Sequence, residues 1–175
     1  MRRRSLVLGL LLVGAVVGQN CDGDGGGRFE DRRVSNADIA KMTDQAVLAR
    51  IATTDGESIV REAAVAKLAD RALLARIATT DSESGVRRAA VARLTDQAVL
   101  AGIATTNGDR DVRVDAVAKL TDRALLARIA TTDSVGIVRQ AAIAKLTDRA
   151  LLARIAATDS DEYVRDAAQR RLNRH

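Results

Sequence analysis

The chain has 175 residues, 47% of them apolar, yet that share holds one Phe, one Tyr and no Trp, and the sequence contains no Pro. Ala, Leu, Val and Ile must therefore do the packing, which suits short helices in close approach and excludes a core built on aromatic rings. The formal net charge of +5 includes Arg2, Arg3 and Arg4; without the first 18 residues, 25 basic side chains face 23 acidic ones, a balance that makes no case for a nucleic-acid partner.

In chain order, residues 1–18 (MRRRSLVLGLLLVGAVVG) start basic and continue into an apolar run of 13 residues from Leu6 to Gly18. A spanning helix needs roughly 20 apolar residues, so the segment is expected to be an export signal rather than an anchor. Val16 and Gly18 are small enough for the minus-three and minus-one positions of a cleavage site. Cys21 follows, the only cysteine of the chain, ahead of the Gly-rich stretch 22–27. The layout resembles that of bacterial lipoproteins, in which such a cysteine is lipidated and attached to the membrane. Asn20 and Gly18 depart from that pattern, and an incidental free thiol is the alternative reading of Cys21. One cysteine allows no internal disulfide. Asp22, Asp24 and Gly27 fall at positions one, three and six of an EF-hand-like loop, but Gly26 at position five and Arg33 at position twelve supply no calcium ligand, and residues 19–33 are expected to be a disordered linker.

From Thr43 the sequence repeats every 26 residues without a gap, over 43–68, 69–94, 95–120, 121–146 and 147–172. Such a period is the signature of a solenoid or array. Each unit divides into two apolar stretches around a polar segment of the type TTDSES, and 26 residues hold two helices of roughly nine residues plus turns. In the first stretch Val47, Leu48, Ile51 and Ala52 share a face and Arg50 points away, with Thr43 expected as N-cap beside Asp44. In the second, Val60, Ala64 and Leu68 recur at helical spacing, Val65 widens the stripe, and Arg61 falls inside it.

A charge within an apolar stripe needs a partner. Six residues before Arg61 stands Asp55, and the spacing recurs as Asp81 with Arg87, Asp133 with Arg139 and Asp159 with Arg165; the third unit places Asn107 opposite Arg113. In a stack these side chains are expected to bridge within a unit or to its neighbour, forming a ladder. The loop Asp, the Val-Arg pair six residues on and the following Ala-Ala resemble HEAT-like repeats in a short bacterial form, over about residues 34–172. The resemblance implies stacked antiparallel helix pairs, an Asp/Arg ladder and a protein-interaction surface. The unit is shorter than an ordinary HEAT repeat and also approaches leucine-rich-variant repeats, so the curvature is left open.

Residues 34–42 align with the second helix of a repeat, with Ser35 in the arginine's place, and read as a half-repeat cap. At the other end Arg170 and Arg171 make the last helix more polar where no neighbour follows. The expected fold class is thus all-α, a right-handed α-solenoid of five hairpins behind a half-repeat cap, spanning 34–175.

His175, the last residue, is the only histidine, so no histidine triad or histidine metal cluster is available within the repeats. HEAT-like iron proteins use repeated His-Glu pairs, and iron-sulfur clusters need several cysteines; neither set is present. No catalytic residue and no cofactor is expected. Loop segments and the residue after each Val-Arg pair (Glu62, Arg88, Val114, Gln140, Asp166) vary between repeats. Arg110, Asp111 and the sole tyrosine, Tyr163, are therefore the candidate binding surface. A basic row of Arg76, Arg128 and Arg154, broken by Gly102, reads more simply as a solvated helix face. The expectation is an exported, periplasmic or envelope-anchored monomer that binds an unidentified protein. The alternatives are a HEAT-like lyase acting on a partner protein and, less favoured, a nucleic-acid-binding HEAT-like protein.

Overall fold

The computed structural model describes residues 34–174; the segment 1–33, including the expected signal and Cys21, and His175 lie outside the described residues. Among the described residues there are eleven α-helices and no strand. The short helix α1 (Asn36–Lys41) comes first. Five pairs follow: α2 (Gln45–Thr54) with α3 (Ser58–Val65), α4 (Arg71–Thr80) with α5 (Ser84–Arg93), α6 (Gln97–Thr106) with α7 (Arg110–Lys119), α8 (Arg123–Thr132) with α9 (Gly136–Ile143), and α10 (Arg149–Thr158) with α11 (Glu162–Leu172). Each first helix packs on the second helix after it, and each second helix packs on the next second helix, from α1 through to α11. This neighbour-to-neighbour packing is that of a helical repeat.

The helix starts are set by an aspartate. Asp44 Oδ1 accepts the backbone N–H of Ala46 at 2.8 Å and of Val47 at 3.2 Å, and Asp70, Asp96 and Asp122 cap α4, α6 and α8 in the same way. This corrects the expectation for Thr43. A carboxylate brings a negative charge to the positive end of the helix dipole, which a hydroxyl does not. Ala69 stands at the threonine's position in the second pair, and α4 is capped no differently there.

The first four pairs contribute the same positions to the core. From α2 come Leu48, Ile51 and Ala52; from α3 come Val60, Ala64 and Val65, closed by Leu68. Ala52, Ala64, Ala78, Ala90, Ala104, Ala116, Ala130, Ala142 and Ala168 are fully buried, so helices meet at alanine rather than at rings. Burying each large aliphatic chain is worth about 2 kcal/mol. At the N-terminal end Ser35 and Asp38 form a reciprocal capping box on α1, which buries Ile39 against the stack. At the C-terminal end Gln169 is exposed at the register position of the buried Ile143, and Leu172 is only half-buried.

A second row of basic side chains ties the second helices together. Lys67 Nζ donates to the carbonyls of Ile39 at 2.9 Å and Ala40 at 2.6 Å; Arg93 reaches Leu68 O at 3.2 Å, Lys119 reaches Val91 O at 3.1 Å, and Arg171 reaches Leu146 O at 2.9 Å. Lys145 does the same to Ala118 O. Each brings a cation to carbonyls at the C-terminal end of the preceding second helix. Arg171, expected merely to make an outer end polar, therefore acts inward. No helix among the described residues is long and apolar enough to cross a membrane.

Candidate functional site

The loop aspartates and the helix arginines meet across neighbouring pairs. Asp55 ends α2 as its C-cap, and its Oδ1 accepts the N–H of Glu57 at 2.9 Å, turning the chain toward α3. Asp81, Asp133 and Asp159 make the same turn toward Glu83, Val135 and Asp161. Arg61 then bridges two pairs: Nη1 donates to Asp55 O at 2.8 Å, while Nε and Nη2 span both oxygens of Asp81 at 3.1 and 3.0 Å. Arg139 is held identically by Asp133 O at 2.8 Å and the Asp159 carboxylate at 3.0 and 2.8 Å. Each arginine thus takes a main-chain oxygen from its own unit and a carboxylate from the next. Arg61 is 8% exposed, Arg113 9% and Arg139 8%, so these pairs are largely withdrawn from water.

The third unit departs, and the departure falls on a different arginine from the one expected. Arg113 needs only the main-chain oxygen of Asn107, at 2.8 Å, and finds Asp133 at 3.1 Å. The missing carboxylate would have served Arg87, which instead reaches Asp109 Oδ2 at 2.8 Å, two residues past Asn107. Asp109 also caps α7 through the N–H groups of Asp111 and Val112. Arg113 holds Asp133 through Nη2 alone, and its buried Nε has no hydrogen-bond partner. Arg165 donates to Asp159 O at 2.8 Å and Ser160 O at 3.2 Å and has no carboxylate partner among the described residues.

Burial pushes the carboxyl of Asp81 up, but the hydrogen bond from Arg61, the N–H of Glu83 and the charges of Arg61 and Arg87 together hold it below the usual carboxylate range. Asp159 is lowered against its burial by Arg139 and the N–H of Asp161. Asp109 is lowered against its burial by the N–H groups of Asp111 and Val112 and by Arg87. These carboxylates are charged and partnered in the folded chain, each holding an arginine of the preceding helix pair.

Arg110, Asp111 and Tyr163 all lie at the start of second helices and are exposed, Tyr163 at 66%. Arg110 and Asp111 approach each other at 3.5 Å, and neither is brought near Tyr163 by any contact. Two further residues share the register position of Tyr163: Ile59, 59% exposed, and Ile137, 47% exposed. The signal that could have found them is an isoleucine immediately before the Val-Arg pair of the first and fourth units. Gly85 and Asp111 occupy that position in the second and third. Among the variable residues, Arg88 Nε pairs with Asp115 Oδ2 at 2.6 Å across α5 and α7.

Grooves of 480 to 540 Å³ separate the C-terminal ends of successive first helices. Thr53 and Thr54, with their counterparts, line these grooves, and the Thr hydroxyls donate to carbonyls one turn back: Thr54 to Arg50 O and Thr132 to Arg128 O, both at 2.9 Å. Arg76, Arg128 and Arg154 stand at the rims of three of them. Among the described residues no cluster of His, Cys, Asp and Glu could hold a metal ion. Compared with known proteins, the chain matches no family model, no curated protein and no solved structure.

Proposed function

We propose that the chain is an exported, non-enzymatic scaffold that binds another protein, built as five 26-residue HEAT-like hairpins behind the half-repeat α1. In this reading residues 1–18 direct export, and Cys21 offers a thiol through which the mature chain can be attached to the membrane. The observation that carries the binding role is that the exposed large apolar side chains among the described residues, Ile59, Ile137 and Tyr163, fall at one register position, in the first, fourth and fifth pairs. A stack held by internal ion pairs has no use for them in its own core, whereas an exposed apolar anchor is what a protein interface spends its energy on. Loop carboxylates supply no opposing argument, because each ladder aspartate is already occupied by an arginine or by the turn it makes.

A photo-crosslinking amino acid placed at Tyr163 in the full chain, expressed in its native host, tests this. A discrete crosslinked polypeptide that disappears on Ile137→Ser supports the scaffold. A diffuse smear, unchanged by Ile137→Ser, would remove the basis for it. The mass of the mature chain decides its beginning: Gln19 for a soluble exported form, a lipid-modified Cys21 for an anchored one, and Met1 would contradict export.

A further inference from the structure

Most arginines among the described residues divide by layer. On the second helices all but Arg110 and Arg170 are used internally: Arg61, Arg87, Arg113, Arg139 and Arg165 in the ladder, Arg88 on Asp115, Arg93 and Arg171 on carbonyls. Those on the first helices are not, apart from Arg149, whose Nη1 donates to Leu172 O at 3.3 Å. Arg50, Arg71, Arg76, Arg123, Arg128 and Arg154 are exposed, and none of their side chains has a hydrogen-bond or ion-pair partner among the described residues. The five first helices contain no acidic residue at all. The first helices thus carry positive charge with no carboxylate among their own residues.

The grooves sharpen this. Where Arg128 and Arg154 stand, the carboxylates on the groove floor, Asp133 and Asp159, are already neutralised by Arg113 and Arg139. The groove beside Gly102 has no rim arginine and adds Asp109. Positive character is therefore strongest over α8 and α10. The threonine hydroxyls spend their hydrogens on helix carbonyls and turn lone pairs outward, so a ligand meets cationic donors beside neutral acceptors.

We propose that this first-helix face, centred on Arg128 and Arg154, docks an acidic segment of the partner protein, with carboxylates on the guanidinium groups and N–H groups on the threonine oxygens. The inference rests on the scaffold reading and names its partner's chemistry. A polypeptide fits better than a nucleic acid. First helices carry no aromatic ring on which bases could stack. The row is interrupted at Gly102, and the capping aspartates Asp44, Asp70, Asp96, Asp122 and Asp148 recur at the opposite helix ends, where a continuous polyanion would be repelled.

The test uses the full chain and a fluorescein-labelled oligoglutamate, followed by anisotropy at several salt concentrations. Binding is expected to weaken as salt rises, to drop about tenfold in Arg128→Ser/Arg154→Ser, and to be unchanged in Arg170→Ser/Arg174→Ser, which removes the same charge elsewhere. Gly102→Arg is expected to tighten binding about threefold; a side chain there meets nothing within 4 Å at its first carbon, so this gain does not depend on a variant surviving damage. Equal losses in the two double variants, no gain from Gly102→Arg, or tighter binding of a single-stranded oligonucleotide of equal charge would overturn the inference. If the crosslinked partner at Tyr163 persists when Arg128 and Arg154 are replaced, this face is not its site, and the scaffold reading stands without it.

Discussion

Arg87 and Asp109 meet at 2.8 Å because Asn107 cannot take the arginine that the aspartates at the same position take elsewhere. Asp109 thereby does two jobs, capping α7 and closing the joint between the second and third pairs. Asp109→Ala is expected to cost about 2 kcal/mol, a helix cap plus a partly buried carboxylate, read as a lower urea midpoint. Asn107→Asp in the same background is expected to recover part of the loss by returning a carboxylate to Arg87.

Arg139 and Arg165 occupy one register position, but only Arg139 has a carboxylate to hold. Arg139→Ala leaves Asp159 largely buried without its cation and is expected to cost about 3 kcal/mol. Arg165→Ala loses hydrogen bonds to two carbonyls and is expected to cost about 1 kcal/mol. Equal losses would mean that the carboxylate adds nothing.

Asp81, Asp109 and Asp159 all bind protons less readily in the folded chain than their ordinary values imply. Their contribution is complete above the unfolded value near 4 and is lost as pH falls through the lower folded values. Stability to urea should therefore hold level from pH 7 to about 5 and decline below about 4. Asp81→Asn should flatten that decline.

Two glycines beside carboxylates should respond in opposite ways to alanine. A Cβ at Gly85 would fall 2.1 Å from Glu62 Oε1, the free end of a side chain that can swing aside. Gly85→Ala is expected to be neutral or to stabilise by up to about 1 kcal/mol. A Cβ at Gly136 would fall 2.1 Å from Asp161 Oδ2, and Asp161 is held in place as the N-cap of α11 by the N–H of Tyr163 at 2.8 Å. Gly136→Ala should destabilise by about 1 kcal/mol, the worth of that cap. Thermal melts of the two variants check the pair.

Much of the helix pattern was legible in the sequence because Leu48, Ile51, Val60 and Ala64 repeat at helical spacing, and Arg61 was marked by sitting inside the apolar stripe. Which carboxylate each arginine takes was not legible. Own and neighbouring aspartates are equally available on paper, and the choice is made by the turn: Asp55 directs Oδ1 to the Glu57 N–H, leaving Arg61 its main-chain oxygen and the next unit's Asp81. Thr43 and Asp44 are both good caps, and only Ala69 in the second unit points to the aspartate. The carbonyl-capping row of Lys67, Arg93, Lys119, Lys145 and Arg171 carried a signal, a basic residue before the closing leucine of every unit. Its partners lie 25 to 28 residues back, so spacing alone does not connect them. Of the candidate surface, Tyr163 stood out as the sole tyrosine, whereas Ile59 and Ile137 look like core residues until the helix start places them outward.

The joint between successive helix pairs is most directly measured by a double-mutant cycle on Arg139 and Asp159, with urea unfolding of the parent chain, Arg139→Ala, Asp159→Ala and the double variant. Asp159 also caps and turns the chain, and the cycle subtracts those roles from the pairing. A coupling of about 2 kcal/mol is expected for a two-point pair largely removed from water. Additive losses, with coupling below about 0.5 kcal/mol, would contradict the claim that each arginine locks its helix pair to the next.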